Sequence, residues 1–126
     1  MLIVEDDSEM RALLREVLER AGYRVIGRRD GAALSALVET ERFDVAILDK
    51  ELPGPNGLDL LSFLRRRLPA VPVILVTAFG GPAVKHEAAR RGASGYVEKP
   101  CRVDTILDTV AAVLTPSRGE EPGLSK

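Results

Sequence analysis

Five times along this chain a short apolar run gives way to a longer stretch with apolar residues at helical spacing, and no other feature restricts the fold as tightly. The runs are Leu2-Ile3-Val4, Tyr23 to Gly27, Phe43 to Leu48, Val73 to Val76 and Gly95 to Glu98. Between them, the spacing predicts a first helix from Ser8 to about Ala21, carrying Met10, Leu13, Leu14, Val17 and Leu18, with Gly22 where a helix C-cap belongs. Asp30 is the expected N-cap of a second helix that turns Leu34, Leu37 and Val38 inward. A third runs from Leu58 to Leu68 with Leu58, Leu61, Phe63, Leu64 and Leu68 on a broad apolar face and Arg65, Arg66 and Arg67 near its C-terminus, where cations suit the helix dipole. Pro69 and Pro72 close it off. A fourth, following Ala78-Phe79-Gly80-Gly81-Pro82, is short and has few apolar anchors between Ala83 and Gly92, so it is the element expected to shift at least energetic cost. The fifth, Val103 to Leu114, presents Val103, Ile106, Leu107, Val110 and Val113. Strand and helix alternating end to end predict an α/β protein with a parallel sheet, not a meander or a helical bundle.

Composition limits what this architecture can serve. A length of 126 residues allows one core, and the hydrophobic share of 45% is enough to bury a sheet on both faces. No apolar run approaches the ~20 residues needed to span a bilayer, and no leader pattern precedes the first strand, so a cytoplasmic location is expected. Met1 lying almost inside that strand leaves open both a trimmed chain and a start codon at that point. With 18 Lys and Arg against 19 Asp and Glu, nothing in the bulk charge draws the domain to nucleic acid or membrane. Cys101, the single cysteine, cannot form an internal disulfide and reads as a small apolar residue. His86 and the three arginines are read as solvated helix positions. Residues 1–114 are expected to form the domain and 115–126, rich in Pro, Gly, Ser and charge, a flexible tail or linker stub.

The ends of the strands carry the chemistry. The first stops at Glu5-Asp6-Asp7, the third at Asp49, the fourth at Thr77 and the fifth at Lys99. A parallel sheet delivers these side chains to one edge, where open α/β sheets bind ligands. Crowded carboxylates repel unless a cation neutralises them, and Mg²⁺, with its preference for oxygen ligands and one or two carboxylates, suits Glu5, Asp6 and Asp49. Asp49 then reads as a nucleophile toward a phosphoryl donor, with Lys99 supplying an ammonium and Thr77 a hydroxyl for the charge that develops. Asp7 reads as a helix-start acid.

Leu2-Ile3-Val4-Glu5-Asp6-Asp7, Ile47-Leu48-Asp49 with Pro53-Gly54-Pro55-Asn56-Gly57, Val76-Thr77-Ala78 and Gly95-Tyr96-Val97-Glu98-Lys99-Pro100 resemble, in order and spacing, the receiver domains of two-component response regulators, the CheY-like superfamily. The resemblance implies a flavodoxin-like doubly wound fold with five parallel strands in the order 2-1-3-4-5. It implies phosphorylation of Asp49 by a sensor histidine kinase or phosphotransfer protein, with Mg²⁺, or Mn²⁺ in its place, held by Glu5, Asp6, Asp49 and the backbone carbonyl of Glu51. Thr77 is then the switch hydroxyl, Tyr96 the switch aromatic and Lys99 the phosphate-contacting lysine, and Lys99-Pro100 is cis in most relatives. The surface of the fourth helix, fifth strand and fifth helix would pass the state to an output domain or effector, or pair two copies. The domain is then a signalling switch that assists its own phosphotransfer and dephosphorylation, not an enzyme.

Two departures bear on the lifetime of the phosphorylated state. Glu51 puts an anion two residues beyond the phosphoacceptor, where it is expected to approach or repel the phosphoryl group, meet the metal through water or pair with Lys50. Phe79 puts a bulky apolar group near the path of an attacking water. An alternative reading is a receiver-like binding module that works unphosphorylated; it is disfavoured because the acid, Thr and Lys set is complete. An aspartate-nucleophile phosphatase would need a cap domain, and a flavin carrier a phosphate-cradling turn after the first strand; the sequence has neither.

Overall fold

The structure is a computed structural model that describes residues 1–114; the predicted tail, residues 115–126, lies outside the described residues. Strands and helices alternate as β1 (Leu2–Val4), α1 (Ser8–Arg20), β2 (Ile26–Arg28), α2 (Leu34–Thr40), β3 (Ala46–Asp49), α3 (Gly57–Arg67), β4 (Val73–Thr77), α4 (Pro82–Arg90), β5 (Gly95–Glu98) and α5 (Val103–Leu114). The sheet order is β2-β1-β3-β4-β5 with every neighbouring pair parallel, the doubly wound order expected.

Successive side chains of a strand point to opposite faces, so each central strand feeds two cores. Leu2, Val4, Ala46, Leu48, Val73 and Leu75 pack with α2 and α3 through Leu34, Leu37, Leu60, Leu61 and Leu64. On the other face Ile3, Val45, Ile47, Ile74 and Val76 pack with α1 and α5 through Leu14, Leu18, Ile106 and Val110. Each of these leucines carries a typical core load: Leu61, with no exposed surface, would cost about 2–5 kcal/mol if cut to alanine.

Leu13, expected on the inner face of α1, is 42% exposed, and β3 begins at Ala46, not Phe43. At three other places a local hydrogen bond explains the departure from the sequence-based expectation. Strand β2 begins at Ile26, not Tyr23, because the turn that ends α1 captures Tyr23: its N–H donates to the Leu18 carbonyl at 3.0 Å, beside Gly22 at φ 100°. Asp30 does not cap α2. Its carboxylate accepts the Ala32 N–H at 3.0 Å in the preceding turn, and α2 starts after Ala33 without a side-chain cap. Helix α3 starts one residue earlier than expected, at Gly57, under a reciprocal cap in which Asn56 accepts the Asp59 N–H and Asp59 accepts the Asn56 N–H. Its buried residues are Gly57, Leu60, Leu61 and Leu64; Leu60 joins the core, while Phe63 is half-buried under the Arg67 guanidinium. In α4 only Ala88 is buried, and polar ties hold its two ends: Gly81 N–H to Glu98 at 2.9 Å and Arg91 Nη1 to the Leu58 carbonyl at 3.1 Å.

Candidate functional site

Strand register sets the site. Val4 pairs with Leu48, Asp49 with Val76, and Thr77 with Glu98, so Glu5, Asp49, Thr77 and Lys99 all emerge within about one residue of the same level at the carboxyl edge. The ladder carries on past the strands, with Glu5 N–H on the Arg28 carbonyl, Lys50 N–H on that of Val76 and Lys99 N–H on that of Thr77. Backbone direction, and not loop chance, therefore aims these side chains.

Lys99 stands at the centre. Its Nζ lies 3.2 Å from Glu5 Oε1 and 3.2 Å from Asp49 Oδ2, bridging two carboxylates that are only 4% and 5% exposed. Asp49 Oδ1 accepts the Glu51 N–H at 3.1 Å, and Glu5 Oε2 accepts the Asp7 N–H at 3.1 Å. Beneath the pair lie Met10, Leu14, Ile47, Val76 and Ile106, an apolar floor that keeps water away. Burial, and then the neighbouring Glu5, push the Asp49 pKa up from 3.8 to about 6, against the pull of Lys99 and the Glu51 N–H. Burial disfavours the Lys99 ammonium, but Glu5 and Asp49 outweigh it and hold its pKa above the ordinary lysine value.

A second cluster sits at the end of β4. The Thr77 hydroxyl, fully buried, donates to Glu51 Oε2 at 2.6 Å and accepts the Phe79 N–H at 3.0 Å. Glu51 Oε1 accepts the Ala78 N–H at 2.8 Å, and Lys50 Nζ lies 3.5 Å from Oε2. Burial works against the Glu51 carboxylate, yet Thr77, Ala78 and Lys50 outweigh it and hold the group below the ordinary glutamate range. Of the courses open to Glu51 in the sequence, the pair with Lys50 is formed, and the hydrogen bonds to β4 are an addition.

The structure thus joins Glu5, Asp49 and Lys99 in one network and Thr77 with Glu51 in another, the two linked by the Glu51 backbone. Asp6 is exposed beside Glu5, and among the described residues no three acidic, histidine or cysteine side chains converge as a metal cluster. Phe79 projects outward, 72% exposed. Tyr96 is half-buried against the α2/α3 core, its hydroxyl donating to Glu98 Oε2 at 2.9 Å; burial first, then the Glu98 hydrogen bond and charge, raise its pKa. Asp7 caps α1, accepting the N–H groups of Glu9 and Met10, and the Lys99-Pro100 bond is cis.

Several supporting residues escaped the sequence reading. Arg11 Nη1 donates to the Glu5 carbonyl at 2.7 Å, tying α1 to the acid. A Cβ at Gly57 would fall on the Asp49 carbonyl oxygen and 2.6 Å from Lys50 Cα, so only glycine lets α3 start against the Asp49 loop. At Gly80 a Cβ would fall on the Tyr96 hydroxyl and on Glu98. Gly57 was visible only as part of the Pro53-Gly54-Pro55-Asn56-Gly57 motif, and its close approach to Asp49 is not encoded in any local pattern.

A doubly wound α/β domain whose carboxyl edge gathers two buried carboxylates, an ammonium and a hydroxyl defines a class of flavodoxin-like proteins with an acidic pocket. Residues 1–111 match the response regulator receiver domain, and the chain belongs to that family, the receiver domains of two-component systems. It is 36% identical over 111 residues to the response regulator protein FleR of Pseudomonas aeruginosa, covering 88% of this chain and 24% of that protein. Among solved structures, the non-phosphorylated HemR receiver domain from Leptospira biflexa is similar at TM-score 0.85 and 29% identity, covering 93% of this chain and 94% of that one. A response regulator from Burkholderia pseudomallei that carries a phosphorylated aspartic acid, a calcium ion and citrate matches at TM-score 0.79 and 28% identity, covering 86% and 64%. The chain spans between about a quarter and about half the length of the curated relatives it matches. Among the described residues no helix is long and apolar enough to cross a membrane.

Proposed function

We propose that Asp49 is the phosphoacceptor of this receiver domain, taking a phosphoryl group from a sensor histidine kinase or phosphotransfer protein. The observation that carries this reading is Asp49 itself: a carboxylate 5% exposed at the end of β3, fixed 3.2 Å from the Lys99 ammonium and beside Glu5. One Asp49 carboxylate oxygen attacks phosphorus, the bond from phosphorus to the donor breaks, and an acyl phosphate remains. Lys99 and the Thr77 hydroxyl are the groups within this edge that meet the added charge, since transfer of this kind is mostly positioning and charge stabilisation. The nucleophile must be ionised, and its pKa of about 6 leaves it so at neutral pH.

The residues fit a divalent cation. Two buried carboxylates share a single ammonium, and burial, then the neighbouring Glu5, hold the Asp49 pKa up, so a second cation beside them would be stabilising. Glu5, Asp6, Asp49 and the Glu51 carbonyl would hold Mg²⁺, or Mn²⁺ in its place; all are oxygen donors of the kind these ions take. When bound, the ion neutralises the carboxylates and the phosphoryl oxygens.

Residues 1–114 form the receiver unit on this reading, in the cytoplasm, and the state is passed through α4, β5 and α5 to an output domain, an effector or a second copy. Thr77 and Tyr96 are the switch residues, and Glu51 and Phe79 tune the lifetime. Intact mass after incubation with a small-molecule phosphodonor and Mg²⁺ tests the proposal. A gain of one phosphoryl group, lost with chelator and in Asp49→Asn, is expected; no gain where another receiver domain is labelled would refute it.

A further inference from the structure

The donors at the end of β4 are already occupied by an anion from the chain itself. Glu51 spans two parts of the site: its backbone N–H donates to Asp49 Oδ1 at 3.1 Å, while its carboxylate takes the Thr77 hydroxyl at 2.6 Å and the Ala78 N–H at 2.8 Å. Lys50, 3.5 Å from Oε2, adds a cation. The Thr77 hydroxyl has one proton to give, and that proton is given to Glu51, while the oxygen also accepts the Phe79 N–H at 3.0 Å, so a second acceptor gains the hydroxyl only if Glu51 gives it up. An amide N–H and a hydroxyl converging on two oxygens of one anion form an oxyanion-binding pair, the same chemistry a phosphoryl group on Asp49 would seek.

We propose that Glu51 is a built-in competitor for the phosphoryl group: its carboxylate holds the Thr77 and Ala78 donors in the unphosphorylated chain and is displaced when Asp49 is phosphorylated. The proposal rests on the phosphoacceptor reading of Asp49 and adds to it the group that must leave. Hydrogen counting makes the two states exclusive. Thr77 has one hydroxyl proton and Ala78 one amide proton, and each serves one strong acceptor at a time. Displacement is sterically open, because the Glu51 side chain is 28% exposed and can swing to solvent on its own rotamers. The consequence is a threshold: the phosphoryl group gains the β4 donors only by the difference between its contacts and those Glu51 already makes. Release of Glu51 also frees Lys50, so phosphorylation alters charge on the surface of the β3–α3 loop as well as at β4.

The test uses the full chain with Mg²⁺ and beryllofluoride, a tetrahedral phosphoryl analogue that binds an aspartate carboxylate, read by amide NMR shifts. Glu51→Ala is expected to bind it about tenfold more tightly than wild type, equivalent to ~1.4 kcal/mol for two charge-assisted bonds at a partly exposed carboxylate. Glu51→Gln, which keeps the shape and one acceptor, is expected to fall between them. In a Thr77→Ala background the gain on removing Glu51 should fall to about threefold, half of it in free energy, since one of the two contested donors is gone and the Ala78 N–H remains. In the free protein, the Ala78 and Phe79 amide resonances should move in Glu51→Ala. Unchanged or weaker binding in Glu51→Ala overturns the proposal, as does a full gain in the Thr77→Ala background, which would mean simple charge repulsion. Unmoved Ala78 and Phe79 amides in the free Glu51→Ala protein also overturn it. Failure of both wild type and Glu51→Ala to take up beryllofluoride would fall instead on the phosphoacceptor reading, and on this inference through it.

Discussion

Asp49→Asn should make the protein more stable, and the increment should depend on pH in a defined sense. Asp49 is ionised in a site where burial and Glu5 raise its pKa from 3.8 to about 6. An acid whose folded pKa lies above its unfolded one holds its proton more tightly in the folded chain. Its contribution to stability is therefore fully present below pH 3.8 and is lost as pH rises through 6. At roughly 1.36 kcal/mol per pH unit, the rise corresponds to ~3 kcal/mol lost at pH 7.5. Asparagine mimics the protonated acid: its Oδ1 still accepts the Glu51 N–H, and its NH₂ can donate to Glu5, where the aspartate sets anion against anion. Urea or thermal denaturation in the presence of EDTA should show the variant ~3 kcal/mol more stable at pH 7.5, about 10 °C in Tm for a domain of this size. The difference should fall below about 1 kcal/mol at pH 4, where the folded state is protonated at this position and the unfolded state is roughly half so. Mg²⁺ should narrow the gap at neutral pH by stabilising the wild type and not the variant. An Asp49→Asn protein no more stable than wild type at pH 7.5, or equally stabilised at pH 4 and 7.5, would refute the account of a charge-strained pocket.

Lys99→Met leaves Glu5 and Asp49 facing each other without their ammonium, and should destabilise by about 3 kcal/mol or more at pH 7.5. In the Asp49→Asn background, calorimetry should find that loss smaller, because one of the two stranded anions is gone. Gly57→Ala drives a methyl into the Asp49 carbonyl and the Lys50 backbone, so it should both destabilise and slow phosphodonor labelling more than tenfold, measured by intact mass. Asn56→Ala removes one half of the reciprocal cap on α3 and should lower stability by ~1 kcal/mol in chemical denaturation while leaving labelling near wild type.

The sequence by itself determined the architecture and the cast of the site. Short β-rich runs separated by amphipathic stretches admit few solutions other than a parallel sheet with helices on both faces, and the acids, hydroxyl and amine at the strand ends follow from chain direction alone. Both signals are local and periodic, which is why Val103–Leu114 and Gly95–Glu98 were legible to the residue. Boundaries were lost where a hydrogen bond across a turn decided between equal local options, as when Leu18 captured Tyr23 or Asp30 closed a turn instead of capping α2. Only the tertiary structure decided which partner each charge meets. Lys99 lies between Glu5 and Asp49, residues 94 and 50 positions away, and Glu51 reaches 26 positions to Thr77. Nothing in the local sequence of Glu51 distinguishes a solvated acid from one that fills the donor pair at β4. That choice depends on the register of β3 against β4 and on the burial of Thr77, which are properties of the packed sheet and of no single segment.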